Sequence, residues 1–467
     1  MAHSEIAAGV AAPPSSKGLL GLQLTGNQWK VLWCCALAGM LETMDLYLIG
    51  FVLADITGPW GLSYGISATI LLASGVGSIF GALTWGHIAD SIGRKKAFLI
   101  TILICSASSI ALAFTPTGDW VFLAIVRTIL GFGAGGFFLF IMLVQELAPA
   151  ANRGMVSGVV STAAASGLML GALAGSFLMP ILGWRGMFAL GVLPAIAGVM
   201  AFYLMPESPR WALAKGYIEQ GRKALRWAMG EKADIEPIVA AYSKVEKQPG
   251  WREVFTLPRS LLVGIVVNYT VVTGFYGAVL WAPTLIGQVL HLEAADASKV
   301  MLGISIAGLL SRFTTGLLAD KFGRRACGAG AAIGAGVCLV LAALVAQGTL
   351  LTREMFWLPF GAALVLADSS FAVLALYTSE LWPSRLRGRG NGISYGLGGI
   401  GKIMGPLGLA LAVGSSNLIR PAATVDSILP AFSYLAVMFA IAGFFYVFIA
   451  RETKGRTFEE IDNKKPA

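Results

Sequence analysis

Charge is what this chain has least of. Only 13% of its 467 residues are Asp, Glu, Lys or Arg, while 56% are hydrophobic. A soluble domain carries about 25% charged residues. The polar surface needed to stay dissolved is missing, and the natural solvent is a bilayer. Histidine is scarce too: His3, His87 and His291 are scattered and form no metal set. The cysteines (Cys34, Cys35, Cys105, Cys327 and Cys338) lie in apolar runs, are odd in number and show no ligand spacing, so they read as packing residues. No P-loop and no nucleophile–base constellation appears. That argues against an enzyme and against direct drive by ATP, and no metal or cofactor is expected. The net charge of +9 would suit nucleic acid only on a basic face of a soluble fold, and none is visible, so no nucleic-acid partner is expected. The polar start lacks a basic segment leading into a short apolar core and a small-residue cleavage site, so no cleavable signal is expected.

What is present is a series of apolar runs, each near the ~20 residues a membrane helix needs. Twelve can be counted, the first beginning near Trp29. A polar tail over 1–28, six spans over 29–205, a hydrophilic linker with short helices over 206–258, six more spans over 259–450 and a tail over 451–467 make up the expected organisation. Arg94, Lys95, Lys96, Arg153, Lys321, Arg324, Arg325, Arg385, Arg387 and Arg389 all fall in loops on one side, together with the linker and the C-terminal tail. The positive-inside rule makes that side cytoplasmic, with both termini inside.

The halves repeat. Gly86, Asp90, Gly93 and Arg94 align without gaps with Gly316, Asp320, Gly323 and Arg324. Glu146, Pro149, Arg153 and Gly154 recur with the same spacing as Glu380, Pro383, Arg387 and Gly388. Two charged patterns repeated in order imply two homologous six-span halves, an arrangement that places a binding site near the midplane between them. The motif G-x-x-x-D-x-x-G-R-[RK] in both halves resembles the signature of the major facilitator superfamily, and the resemblance covers the chain after residue 28. The run from Pro206 to Trp211 resembles the PESPRW of its sugar-porter and organic-ion branches. Residues Arg451 to Ile461 resemble the PETKGRTLEEI tail, with arginine replacing the usual proline. The resemblance implies an all-α membrane protein of twelve helices in two six-helix bundles related by a pseudo-two-fold axis. It also implies that Asp90 faces the start of span eleven near Arg389 to Asn391. Arg94 is expected to pair with Glu146 and Arg324 with Glu380, joining the bundles on the inner side as a gate. The alternative is that these arginines only set topology.

Five charges lie inside spans. Glu42 and Asp45 are three residues apart on one helix face, and Asp45 lies roughly 24 Å into the first span. The pattern resembles the D-G-[FY]-D of aromatic-acid and metabolite:proton symporters, and implies proton coupling or substrate contact. A structural hydrogen bond is the alternative. Arg127, in an R-x-x-x-G-x-G-x-G pattern, needs a carboxylate or a substrate anion if buried. Asp45 is its natural partner, and snorkelling is the other outcome. Lys402 lies roughly 20 Å into span eleven. There it resembles the G-R-[IL]-G-x-[IL]-x-P of organic-acid symporters, with lysine for arginine. It points either to a carboxylate substrate or to an internal salt bridge with Asp368, itself deep in span ten and a second proton candidate.

Span seven offers Asn268, Tyr269, Phe275, Tyr276 and Trp281, an aromatic wall that suits a flat organic ligand or serves as ordinary packing. It lacks the Q-Q-x-x-G-x-N run of the sugar porters, so hydroxyl-rich sugars find few partners. The leading expectation is a proton-coupled symporter of a small organic anion, an aromatic or heteroaromatic carboxylate. It is expected to be a monomer in a plasma membrane, such as a bacterial inner membrane. A sugar:proton symporter or an organic-cation carrier of the same fold is the alternative, and a non-transporting sensor a more remote one.

Overall fold

The computed structural model describes residues 24–136, 138–148, 153–231, 233–243, 251–383 and 386–454. The tails lie mostly outside these residues. The side chains of Arg153 and Arg387 also lie outside what is described. Twelve helices are long and apolar enough to cross a membrane: α1 Gly26–Ile56, α2 Tyr64–Ile92, α3 Arg94–Ala113, α4 Trp120–Leu147, α5 Met155–Phe177 and α6 Met179–Leu204, then α7 Pro258–Leu290, α8 Ala294–Phe322, α9 Arg324–Ala346, α10 Arg353–Glu380, α11 Arg389–Val413 and α12 Thr424–Ile449. Large apolar side chains stand outward, such as Leu83 (74% exposed) and Leu317 (69%). That surface is stable only against lipid.

Local chemistry sets the helix ends. Thr25 and Gln28 form a reciprocal capping box at the start of α1, and Ser63 and Asp119 accept backbone N–H groups at the starts of α2 and α4. Between α2 and α3, and again between α8 and α9, the turn is one glycine in left-handed backbone: Gly93 at φ 108° and Gly323 at φ 99°. The second glycine of the repeated motif thus meets a real conformational requirement. Between the halves run short helices, Pro209–Ala214, Ile218–Met229 and Glu236–Ser243. Thr25 and Asn27 donate to the carbonyls of Ala228 and Trp227, which ties the linker to the foot of α1.

The two six-helix halves meet only along part of their length. The contact of α5 with α8 runs through Gly167–Phe177, and that of α2 with α11 through Gly401–Val413. Both segments lie toward the face opposite the linker, here the distal face. Backbones touch there: a Cβ on Gly50 would stand 2.9 Å from the Leu280 carbonyl, and one on Gly65 2.8 Å from that of Ser415. Tyr64 N–H donates to Asn417 (2.9 Å), Gly65 N–H to Ser415 (2.8 Å) and Ile419 N–H to Leu62 (3.2 Å). The hydroxyls of Tyr64 and Thr424 share a hydrogen bond of 2.6 Å. Among the described residues, the linker-side segments Arg153–Ala165 and Arg387–Gly398 make no such packing with the opposite half. The space between the halves is closed distally and opens toward the linker.

Candidate functional site

On the linker face the repeated motifs form twin knots. Arg94 Nε meets Glu146 at 3.0 Å, and Arg324 Nε meets Glu380 at 3.1 Å. Ser208 and Thr453 donate to the same two carboxylates. Glu207 accepts the N–H of Lys95 (2.8 Å), and Glu452 accepts those of Arg324 (2.9 Å) and Arg325 (3.1 Å). So Glu207–Ser208 and Glu452–Thr453 are structural equivalents, each glutamate capping the helix after a left-handed glycine.

Two expectations need correction. Each arginine–glutamate pair stays within one half, because Arg94 and Glu146 belong to one bundle and Arg324 and Glu380 to the other. Asp90 does not reach α11. It pairs with Arg94 one turn on (3.3 Å) and keeps 71% of its side chain exposed, and Asp320 does the same with Arg324 (2.8 Å, 70%). The separation of the halves on this face removes the surface Asp90 was expected to meet. A Cβ at Gly316 would meet open space, while Gly86 is half-buried near the end of α2.

Deeper in, Asp45 is 2% exposed and takes a 2.6 Å hydrogen bond from Ser109 of α3. A side chain on Gly191, within α6, would strike it. It therefore faces α3 and α6, inside the first half. Arg127 is 1% exposed, so it does not snorkel. Its Nη2 donates to Ser74 at 2.9 Å. It feels the charge of Asp45 without the direct ion pair that was expected, since each group is held by its own serine. Asp45 Oδ1, Glu42 Oε1 and Arg127 Nε and Nη1 are buried with no hydrogen-bond partner. Glu42 also lies within electrostatic reach of Lys402, across the divide between the halves.

Lys402 is half-buried on α11, beside Gly75 of α2. Its Nζ stands 5.6 Å from the centre of the Tyr276 ring. The salt bridge with Asp368 considered for it is not made. Asp368 is held by Arg312 of α8, at 2.6 and 2.8 Å. Arg312 escaped the sequence reading because it lies only four residues before Gly316 and was absorbed into the motif that follows. The available signal was its depth: ten residues from the helix end, or roughly 15 Å into the span.

The aromatic set divides. Tyr276 stacks on Tyr47 of the opposite half at 6.1 Å, with Phe275 and Phe371 beside it. Tyr269 is half-buried about two turns nearer the linker. Trp281 is fully buried against Tyr64 at 5.3 Å, and its indole N–H points to the Pro406 carbonyl, so it belongs to the distal seal. Asn268 is fully buried and spends its amide N–H groups on Gly264 and Thr378.

A profile of the family described as "Sugar (and other) transporter" matches residues 33–464. The chain belongs to that family, within the major facilitator superfamily. This transporter is 27% identical over 440 residues to the niacin transporter NiaP of Acinetobacter baylyi, covering 93% of this chain and 96% of that one. It is 26% identical over 406 residues to the cis,cis-muconate transport protein of the same organism, covering 85% and 91%. Among solved structures it resembles the partially occluded inward-open xylose transporter XylE from E. coli, with a TM-score of 0.74 at 20% identity over 93% of this chain and 100% of that one. The last likeness concerns the fold. Within this transporter Lys402 and the Tyr47–Tyr276 stack lie where the two halves meet, while Asp45 and Arg127 are buried inside the first half.

Proposed function

We propose that this transporter moves a small aromatic or heteroaromatic carboxylate together with a proton, by alternating access. The observation that carries the reading is Lys402. Among the described residues no carboxylate forms an ion pair with it, and it stands over a tyrosine ring where the two halves meet. A cation in that position attracts an anion, and the tyrosine face suits a flat ring.

The mid-span charges support coupling. Glu42, Asp45 and Asp368 balance Arg127, Arg312 and Lys402 when all are ionised. A proton on Asp45 or Glu42 leaves one positive charge for the substrate anion to cancel. Proton and anion then favour each other's binding, and an electrically balanced load crosses the low-dielectric interior at least cost. Asp45, sequestered against α3 and α6, holds the proton away from the substrate, and Arg127 senses its loss. The linker-face knots stabilise each bundle as the halves rock. NiaP is named for niacin, a heteroaromatic carboxylate, which fits this chemistry. A sugar is disfavoured because Asn268 has no free amide N–H for hydroxyls. The positive-inside rule makes the linker face cytoplasmic. A monomer in a plasma membrane, a bacterial inner membrane for instance, suffices for transport.

The test is uptake into proteoliposomes with radiolabelled benzoate, nicotinate, a hexose and an organic amine. An aromatic acid is expected to accumulate with an inward proton gradient and to leak out when an uncoupler is added. Accumulation of the hexose or amine alone, or acid uptake indifferent to the gradient, would overturn the reading.

A further inference from the structure

Arg312 and Asp368 grip each other through two parallel contacts, Nε to Oδ2 at 2.8 Å and Nη2 to Oδ1 at 2.6 Å. Their side chains remain 19% and 15% exposed. The neighbours show where the pair lies. The Arg312 guanidinium stands 5.4 Å from the Phe371 ring centre, Phe371 is 5.2 Å from Phe275, and Phe275 meets Tyr276 edge-on at 5.6 Å. Tyr47, from the opposite half, feels the charges of both Arg312 and Asp368. The pair and Lys402 therefore reach the same tyrosine stack.

A buried arginine–carboxylate pair contributes little net stability, because desolvation offsets attraction. What it offers beside a cavity is hydrogen bonding without net charge. Two of the five guanidinium N–H groups are spent on Asp368, and the carboxylate keeps spare lone pairs. Lys402 is the cation left for a substrate charge. We infer that Arg312 and Asp368 read an uncharged hydrogen-bonding group on the substrate ring, a hydroxyl or a ring nitrogen, while Lys402 takes the carboxylate. The site accepts monoanions with a second polar group and rejects dicarboxylates. This rests on the aromatic-acid reading above and adds the identity of the ring substituent's partner.

Calorimetric binding to the purified full-length transporter tests it, with benzoate, the three hydroxybenzoates, nicotinate and phthalate at one pH and salt. The wild type is expected to bind at least one ring-substituted monoacid about tenfold tighter than benzoate, and phthalate about tenfold weaker. The paired variant Arg312→Gln with Asp368→Asn removes both charges and leaves no orphan. It should level the substituted acids with benzoate measured on the same variant. Asp368→Glu, a milder change, should reorder the three hydroxybenzoates, and it carries the test if the paired variant does not fold. A ring preference that survives the paired variant, an unchanged order in Asp368→Glu, equal loss for every acid, or tight phthalate binding would each overturn the inference alone. No binding by any acid would overturn the substrate reading and this inference together.

Discussion

Ser109 holds Asp45 by a single 2.6 Å hydrogen bond, and among the described residues no cation forms an ion pair with the carboxylate. The proposed proton site is thus a buried acid poised beside Arg127 rather than locked to it. Replacing Asp45 with Asn keeps the shape and removes the titration. Accumulation driven by a proton gradient should vanish, while exchange of labelled for unlabelled substrate across the membrane continues. Parallel measurement of both in proteoliposomes separates coupling from binding, and undiminished accumulation by the variant would remove Asp45 from the mechanism.

Lys402 faces Tyr276 with no carboxylate paired to it among the described residues. A charge-assisted contact to a substrate anion is worth about 1.5–3 kcal/mol, so Lys402→Ala should weaken binding roughly ten- to hundredfold. Lys402→Arg should recover part of that loss. Equilibrium binding of the preferred acid decides it, and equal affinity in Lys402→Ala would move the anion site elsewhere.

The distal seal rests on few bonds. The Tyr64–Thr424 hydroxyl contact of 2.6 Å joins the halves directly. Losing it in Tyr64→Phe costs the distally closed state about 1 kcal/mol, a roughly fivefold shift toward the opposite state. Spin labels at Gly58 and Leu350, in distal loops of the two halves, should report a larger share of long distances by pulsed electron resonance. An unchanged distribution would show that the backbone seam alone keeps the seal.

Glu452 lies just beyond α12. Partial burial works to raise its pKa, but the backbone N–H groups of Arg324, Lys454, Arg325 and Thr453 outweigh it and hold the carboxyl below the usual glutamate range. A depressed folded-state value means stability that is present above the ordinary value of about 4.3 and is lost as pH falls through the folded one. Thermal unfolding of detergent-solubilised protein should therefore soften below about pH 4. Glu452→Gln should flatten that part of the profile, and an identical acid limb in the variant would exclude Glu452 as its source.

Much of the architecture was legible without coordinates, since each helix had to be an apolar run of membrane-spanning length. The repeated motifs announced the two halves, and Gly93 and Gly323 carry the backbone reason for their own recurrence. The site was legible only in part. Glu42, Asp45, Arg127 and Lys402 stand out as charges within spans, but Arg312 was hidden by the neighbouring motif. Trp281 and Tyr276 look alike in sequence, yet one seals the distal face and the other stacks across the halves.

By itself the sequence determined the solvent, the number of spans, the duplication and the presence of costly charges in the interior, because all of these follow from composition and spacing along one helix. Which charges pair was decided only by tertiary structure. Asp368 chose Arg312 over Lys402, and Asp45 chose Ser109 over Arg127, because partners across helices are selected by rotation and depth. A helix turns 100° per residue and rises 1.5 Å, and a hydrogen bond tolerates only a few tenths of an ångström.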